Sequence, residues 1–155
     1  MKRTPVTGLI GVALFGAAAA LILVRRFYGL LESLSMVVPM SLWIVAAACG
    51  MLAWMVRKRR ADGQVGLDRS QLNPMMVANL MLMGKASAWT GALCGGAYAG
   101  ALAFVVTKLS VLAAAGQDFP ALLSGALGGA ALAVAGVVLE RACEVSPPSQ
   151  GESAS

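Results

Sequence analysis

The sequence predicts an all-α membrane protein in which four helices cross the bilayer as a bundle. Of the 155 residues, 59% are hydrophobic and only 12% are charged, and the mean hydropathy is +0.78. A soluble domain carries roughly 25% charged residues. Apart from Lys85, the charges lie beside four long apolar runs rather than inside them. We therefore expect one transmembrane domain over residues 1–145, followed by a disordered tail over residues 146–155.

The first two runs are long enough to cross a membrane. Pro5–Val24 contains 20 residues without a charge, which as a helix is about 30 Å long and matches the hydrocarbon core. A basic start is also typical of a signal peptide, but no polar region follows a cleavage site, so an uncleaved span at about 5–24 is predicted. A second span is predicted at about 37–56, with Trp43 and Trp54 near its ends, where interfacial tryptophans usually lie.

The third run is longer than one crossing. Asn73–Val106 has 34 residues with Lys85 as its only charge, and one straight helix of that length would be about 51 Å long. We expect a span at about 86–106. The methionine-rich segment 75–84 before it is expected to form a membrane-interface extension or to pack under the bundle, with a bend or change of environment within a turn of Gly84. The fourth span is predicted at about 120–139.

Four prolines lie where these helices are expected to begin. A proline in the first turn costs nothing in hydrogen bonding, because its missing N–H would have had no partner there. Thr4 and Asn73 precede two of the prolines and are expected N-caps. The four prolines are Pro5, Pro39, Pro74 and Pro120.

Lysine and arginine counts predict the orientation. The N-terminus contributes two such residues, the stretch from residue 57 to Lys85 six and the C-terminal region one, nine in all. The opposite side has three, namely Arg25, Arg26 and Lys108. The excess predicts that both termini and the middle connection face the cytoplasm. Four residues dominate this signal: Arg57, Lys58, Arg59 and Arg60.

Several short motifs resemble a family of uncharacterised four-span membrane proteins from actinobacteria. In that family the third helix begins with a Leu-(Asp/Asn)-Pro start, here Leu72-Asn73-Pro74. A Lys-Ala-Ser/Ala pair and a glycine-rich run follow, here Lys85-Ala86-Ser87 and Gly91 to Gly100 with Tyr98. The closing Leu-Glu-Arg-x-Cys falls on Leu139 to Cys143. The resemblance implies a four-span fold and a bacterial source. It implies no activity, because none is established for the family.

Small residues recur at a spacing of four on the third and fourth helices. This spacing lets helix backbones approach closely in lipid. We favour packing between these two helices of one chain; the alternative is a dimerisation face. The rows are Ser87, Gly91 and Gly95, then Ala92, Gly96 and Gly100, then Ala121, Gly125, Gly129 and Ala133.

A polar cluster is expected at the cytoplasmic end of the last two helices. Lys85 is separated from the polar Thr107 by 21 residues, so its ammonium should reach the headgroups rather than lie in the bilayer centre. Trp89 is one turn further on and could stack with it. Glu140 and Arg141 are expected at the same depth, where Glu140 could contact Lys85.

The motifs that would indicate chemistry are missing from the sequence. The apolar runs contain no titratable group of the kind that proton-coupled transporters use, and no catalytic, cofactor or metal motif occurs. We expect no enzyme and no nucleic-acid partner. The leading prediction is a structural or accessory protein whose partners are the lipid bilayer and either a second copy or another membrane protein. The alternative is a small-solute transporter or channel component with a polar cleft near Lys85, Asn79 and Ser87.

Overall fold

A computed structural model describes residues 4–27, 36–61, 74–108 and 113–144, and in these ranges it is helical with no strand. The helices are α1 (Val6–Phe27), α2 (Val37–Ala61), α3 (Pro74–Lys108) and α4 (Ala113–Cys143). All four are long and apolar enough to cross a membrane. The all-α class with four membrane-length helices is thereby confirmed. The predicted tail, the N-cap Asn73 and the basic residues Lys2 and Arg3 lie outside the described residues.

The helices are arranged around the α3–α4 pair. α1 packs on α3, and α2 packs on α4 with a brief contact to α3. Within the described ranges, no Cα atom of α1 comes within 8 Å of a Cα atom of α2 or α4. The most apolar stretch of α1 buries only 11% of its residues, against 39% in α3 and in α4. The central pair is therefore the core of the fold, and α1 and α2 present most of their surface outward.

The main hydrophobic core joins α2, α4 and the beginning of α3. Cys49, Ala53 and Val56 on α2 pack with Leu132 and Leu139 on α4. Further up α2, the indole Nε1 of Trp43 donates hydrogen bonds of 3.3 Å to the backbone oxygen and to the hydroxyl of Ser124. The Trp43 ring lies over Gly128, where a Cβ atom would be only 3.1 Å from Nε1. A glycine at 128 thus lets α2 lie close to α4.

The methionine-rich segment is the first part of α3 itself. The helix runs without interruption for 35 residues from Pro74 to Lys108. Val77 and Leu80 are buried in the main core, whereas Met75 and Leu82 are 70% and 58% exposed. One face of the segment therefore packs against the ends of α2 and α4, and the other faces away from the protein.

Two predicted helix starts are wrong in detail. α4 begins at Ala113, so Pro120 lies inside the helix. Pro120 has no N–H group, so the carbonyl four residues earlier lacks its usual hydrogen-bond donor. The helix nevertheless extends through the alanines at 113–115, because alanine has the highest helix propensity. At α1, the Pro5 carbonyl accepts hydrogen bonds from the N–H groups of Gly8 and Leu9, so Pro5 occupies the N-cap. Thr4 makes a different contact, described below.

Candidate functional site

The two small-residue rows of α3 lie against two different helices. The row that contains Gly96 and Gly100 faces α1. A Cβ atom added at Gly96 would overlap the carbonyl oxygen of Ala13, and one at Gly100 would overlap that of Ala17. From the α1 side, a Cβ atom at Gly16 would lie 2.8 Å from the carbonyl oxygen of Leu93. The α1 and α3 backbones are therefore in direct contact.

The adjacent row of α3 faces α4. A Cβ atom at Gly91 would lie 2.5 Å from the backbone nitrogen of Ala133, and Gly129 lies against the backbone of Gly95. The contact extends to Gly136, where a Cβ atom would lie 2.5 Å from the nitrogen of Ala88. Both rows are thus used for packing inside one chain, and the second neighbour is α1, which the sequence reasoning did not consider.

Two residues of the predicted rows have other neighbours. The hydroxyl of Ser87 accepts a 3.4 Å hydrogen bond from the thiol of Cys49 on α2. Gly125 lies under the ring of Tyr98, whose Cγ and Cδ1 atoms would be 2.5 Å from an added Cβ atom. Ser87 therefore belongs to the short α2–α3 contact, and Gly125 makes room for an aromatic ring rather than for a backbone.

Glu140 is buried at the end of α4, with 5% of its surface exposed. Its carboxylate accepts a 2.9 Å hydrogen bond from the backbone N–H of Thr4 and another from the Thr4 hydroxyl. Buried charges persist in proteins when they are paired or hydrogen-bonded, and Thr4 supplies both donors from just before α1. Sequence reasoning missed this contact, because it joins residues 136 positions apart.

The other members of the predicted polar cluster lie close by. A Cβ atom added at Gly84 would lie 2.9 Å from the backbone nitrogen of Glu140, so the residue next to Lys85 is close to Glu140. The Lys85–Glu140 contact itself stays a prediction. The ring of Trp89 lies against α1, where its Cη2 atom would be 3.1 Å from a Cβ atom at Gly8. Trp89 therefore packs at the α1–α3 contact.

The basic end of α2 is exposed. Arg57, Lys58 and Arg59 all lie on the surface, and the side chain of Arg60 lies outside the described residues. The Lys58 ammonium lies 5.3 Å from the centroid of the Trp54 ring, a distance typical of a cation–π contact. This places Trp54 beside the basic cluster, consistent with a position near a membrane interface.

An apolar groove of about 600 Å³ lies between α1 and α4, above α3. Val6, Ile10 and Ala13 form the α1 wall, and Gly95 and Gly96 are part of the floor. Among the described residues, Arg141 is the one charged residue that lines it. The α4 wall is a helical stripe of alanines and valines, and Ala133 is its only member in a predicted small-residue row. The stripe consists of Ala126, Ala130, Ala133, Val134, Val137 and Val138.

The described residues contain no cluster of His, Cys, Asp or Glu that could hold a metal ion. Cys49 and Cys143 are buried and Cys94 is half-buried, and none of the three forms a disulfide bond with a described residue. Cys49 and Cys143 belong to the main hydrophobic core, where a free cysteine behaves as a small apolar side chain.

Comparison with known proteins identifies a family but no characterised relative. The model of a family described as "Protein of unknown function (DUF3180)" matches residues 9–147. No curated protein and no solved structure matches the chain. The match covers α2, α3 and α4 completely and all of α1 except its first three residues. This small protein with four candidate membrane helices therefore belongs to the DUF3180 family.

Proposed function

We propose that this protein is a non-enzymatic structural or accessory component of the bacterial cell membrane that acts by helix–helix association with a second copy or with another membrane protein. Both termini would face the cytoplasm, as the lysine and arginine distribution predicts. The actinobacterial source implied by the motif resemblance belongs to the same proposal.

The observation that carries this proposal is the outer face of α1, which we define as Gly11, Leu14, Phe15, Ala18 and Ile22. These residues follow one another at helical spacing and all are exposed. Leu14 and Phe15 are 66% and 71% exposed, and no atom lies within 4 Å of the position of a Cβ at Gly11. Small residues one or two turns apart on a membrane helix let another helix approach closely.

The glycine-packed α3–α4 pair supports the same role. Backbones in direct contact leave no room for a polar path between these two helices. The alternative, a small-solute transporter or channel component, has less support. The Ser87 hydroxyl is engaged by Cys49, Asn79 is exposed, and the groove between α1 and α4 is aliphatic apart from Arg141.

Disulfide crosslinking in native membranes tests the outer face of α1. A single cysteine replaces Ala18 in a chain whose own cysteines, Cys49, Cys94 and Cys143, are changed to alanine. We expect a crosslinked species, either a dimer of this chain or an adduct with a second membrane protein, that Gly11→Leu abolishes. The matched control is Gly50→Leu on α2, since Gly50 also has no atom within 4 Å of an added Cβ. Equal crosslinking in both variants would refute the proposed face.

A further inference from the structure

We propose that the groove between α1 and α4 binds one acyl chain of an anionic phospholipid, with the lipid phosphate at Arg141. The groove lies on the far side of α3 and α4 from α2, and only Ile10 of its α1 wall borders the outer face of α1. The proposal is therefore independent of the association surface described above.

The dimensions of the groove match a single lipid in one leaflet. Its α4 wall runs from Ala126 to Arg141, which along a helix is about 22 Å. A bilayer is roughly 40–45 Å thick including the headgroups, so one leaflet spans about 20–22 Å. A chain that lies along the wall would thus reach the middle of the bilayer while its headgroup stays at Arg141.

The volume of the groove favours an acyl chain over a helix. A helix with its side chains is about 10 Å wide, and 22 Å of it occupies about 1,700 Å³. The groove encloses about 600 Å³, within the range of roughly 300–1,000 Å³ that is typical of small-molecule sites. Its floor consists of glycines and alanines of α3 and is therefore apolar and without large side chains; these residues are Gly91, Ala92, Gly95, Gly96 and Ala99.

The charge at the end of the groove selects an anionic headgroup. Arg141 is exposed, and its guanidinium makes no ion pair with a described residue. The adjacent carboxylate of Glu140 accepts its hydrogen bonds from Thr4 and not from Arg141. A guanidinium presents a planar set of donors that suits a phosphate. In the predicted orientation this end faces the cytoplasmic leaflet, where anionic lipids attract basic groups.

The test measures lipid binding to the full chain in mild detergent by native mass spectrometry. Phosphatidylglycerol and phosphatidylcholine with identical chains are compared, and inorganic phosphate is added alone in a third arm. We expect phosphatidylglycerol to bind about fivefold more tightly than phosphatidylcholine, the contribution of one cationic side chain beside anionic lipid. Arg141→Gln should remove this preference, while Arg57→Gln, which changes an exposed arginine outside the groove, should keep it.

Filling the groove provides the second arm. Ala130→Phe and Val134→Trp should each abolish retention of both lipids, whereas Leu127→Phe, on an exposed α4 position outside the groove, should not. Val134 is 65% exposed, so its variant keeps the proposal testable if Ala130→Phe does not fold. The proposal would be overturned by equal binding of the two lipids or by an unchanged preference in Arg141→Gln. It would also be overturned if inorganic phosphate alone bound as tightly as phosphatidylglycerol. A dimer crosslinked through position 134 would overturn it as well.

Discussion

Glu140 and Thr4 join the two ends of the chain. The carboxylate near the end of α4 accepts hydrogen bonds from the backbone N–H and the hydroxyl of the residue that precedes α1 by two positions. Both residues are buried, at 5% and 8% exposure. α1 itself packs on α3, so within the described residues this contact is a polar link between the residue just before α1 and the end of α4. It lies beside the headgroup end of the groove.

Thr4→Val is expected to destabilise the protein. Valine has a similar shape but no hydroxyl, so the buried carboxylate of Glu140 loses one of its two described donors. Removing one partner of a buried polar group typically costs about 1–3 kcal/mol. Thermal unfolding in detergent measures the effect. The control is Thr7→Val, because Thr7 is exposed one turn further along; equal melting temperatures for the two variants would contradict the importance of the link.

Gly96→Ala is expected to separate α1 from α3. The added methyl group would overlap the carbonyl oxygen of Ala13, and overpacking of this kind typically costs about 1–3 kcal/mol. The matched control is Gly11→Ala, where the same methyl group meets no atom within 4 Å and helix propensity favours alanine by up to about 1 kcal/mol. The measurement is the folded yield and melting temperature of each variant. A Gly96→Ala protein as stable as Gly11→Ala would mean that the backbones are not in contact.

Gly129→Leu is expected to disrupt the α3–α4 pair more severely than Leu102→Ala. A leucine at 129 would force apart backbones that meet at Gly95, whereas Leu102 is only half-buried and its truncation leaves the helix contact in place. Gel filtration in detergent reports the folded fraction of each variant. The prediction fails if the two variants elute as folded protein in equal amounts.

Cysteine accessibility should distinguish the two faces of the methionine-rich segment. In a chain without native cysteines, a membrane-impermeant maleimide is applied to the cytoplasmic side. Cysteines at the core-facing positions 77 and 80 should react least, because Val77 and Leu80 are 8% and 9% exposed. Positions 76 and 83 face outward and should react more slowly than Arg59→Cys, since methionines there would lie against lipid. Fast labelling at all four positions would show that the segment is solvated.

Reporter fusions test the orientation. Fusions after Arg60 and at Ser155 should report the cytoplasm, and a fusion near Gly116 should report the outside. The reason is the nine-to-three distribution of lysine and arginine between the two sides. A cytoplasmic signal at Gly116 would contradict the topology and with it the leaflet assigned to the groove.

The sequence predicts local features of this fold well. An apolar run of 20 residues has few alternatives to a membrane-length helix, and small residues at a spacing of four mark close helix contacts. The sequence does not show which helix packs against a given row of small residues, because the spacing on α3 is the same whether the neighbour is α4 or α1. Gly96 and Gly100 could thus be recognised as packing residues, but their position against Ala13 and Ala17 could not.

The parts of the candidate site that sequence reasoning missed depend on how distant helices meet. Threonine is a favoured N-cap residue, and nothing in the sequence near Thr4 indicates that its hydroxyl donates a hydrogen bond to Glu140. The groove exists because α1 and α4 both contact α3 without reaching each other. Such a space follows from the angles between neighbouring helices around α3 rather than from any one segment, so periodicity within a single helix does not reveal it.

The order in which the helices meet their packing partners has a consequence for biogenesis. During synthesis α1 and α2 enter the membrane first, yet the described parts of these helices do not contact each other. α1 finds its packing partner only when α3 has been made, and α2, which touches α3 briefly, finds its main partner only when α4 follows. The first half of the chain is therefore not a folding unit. A ribosome-bound intermediate that ends before Pro74 would hold two membrane helices with no native helix partner, open to capture by chaperones or by other membrane proteins.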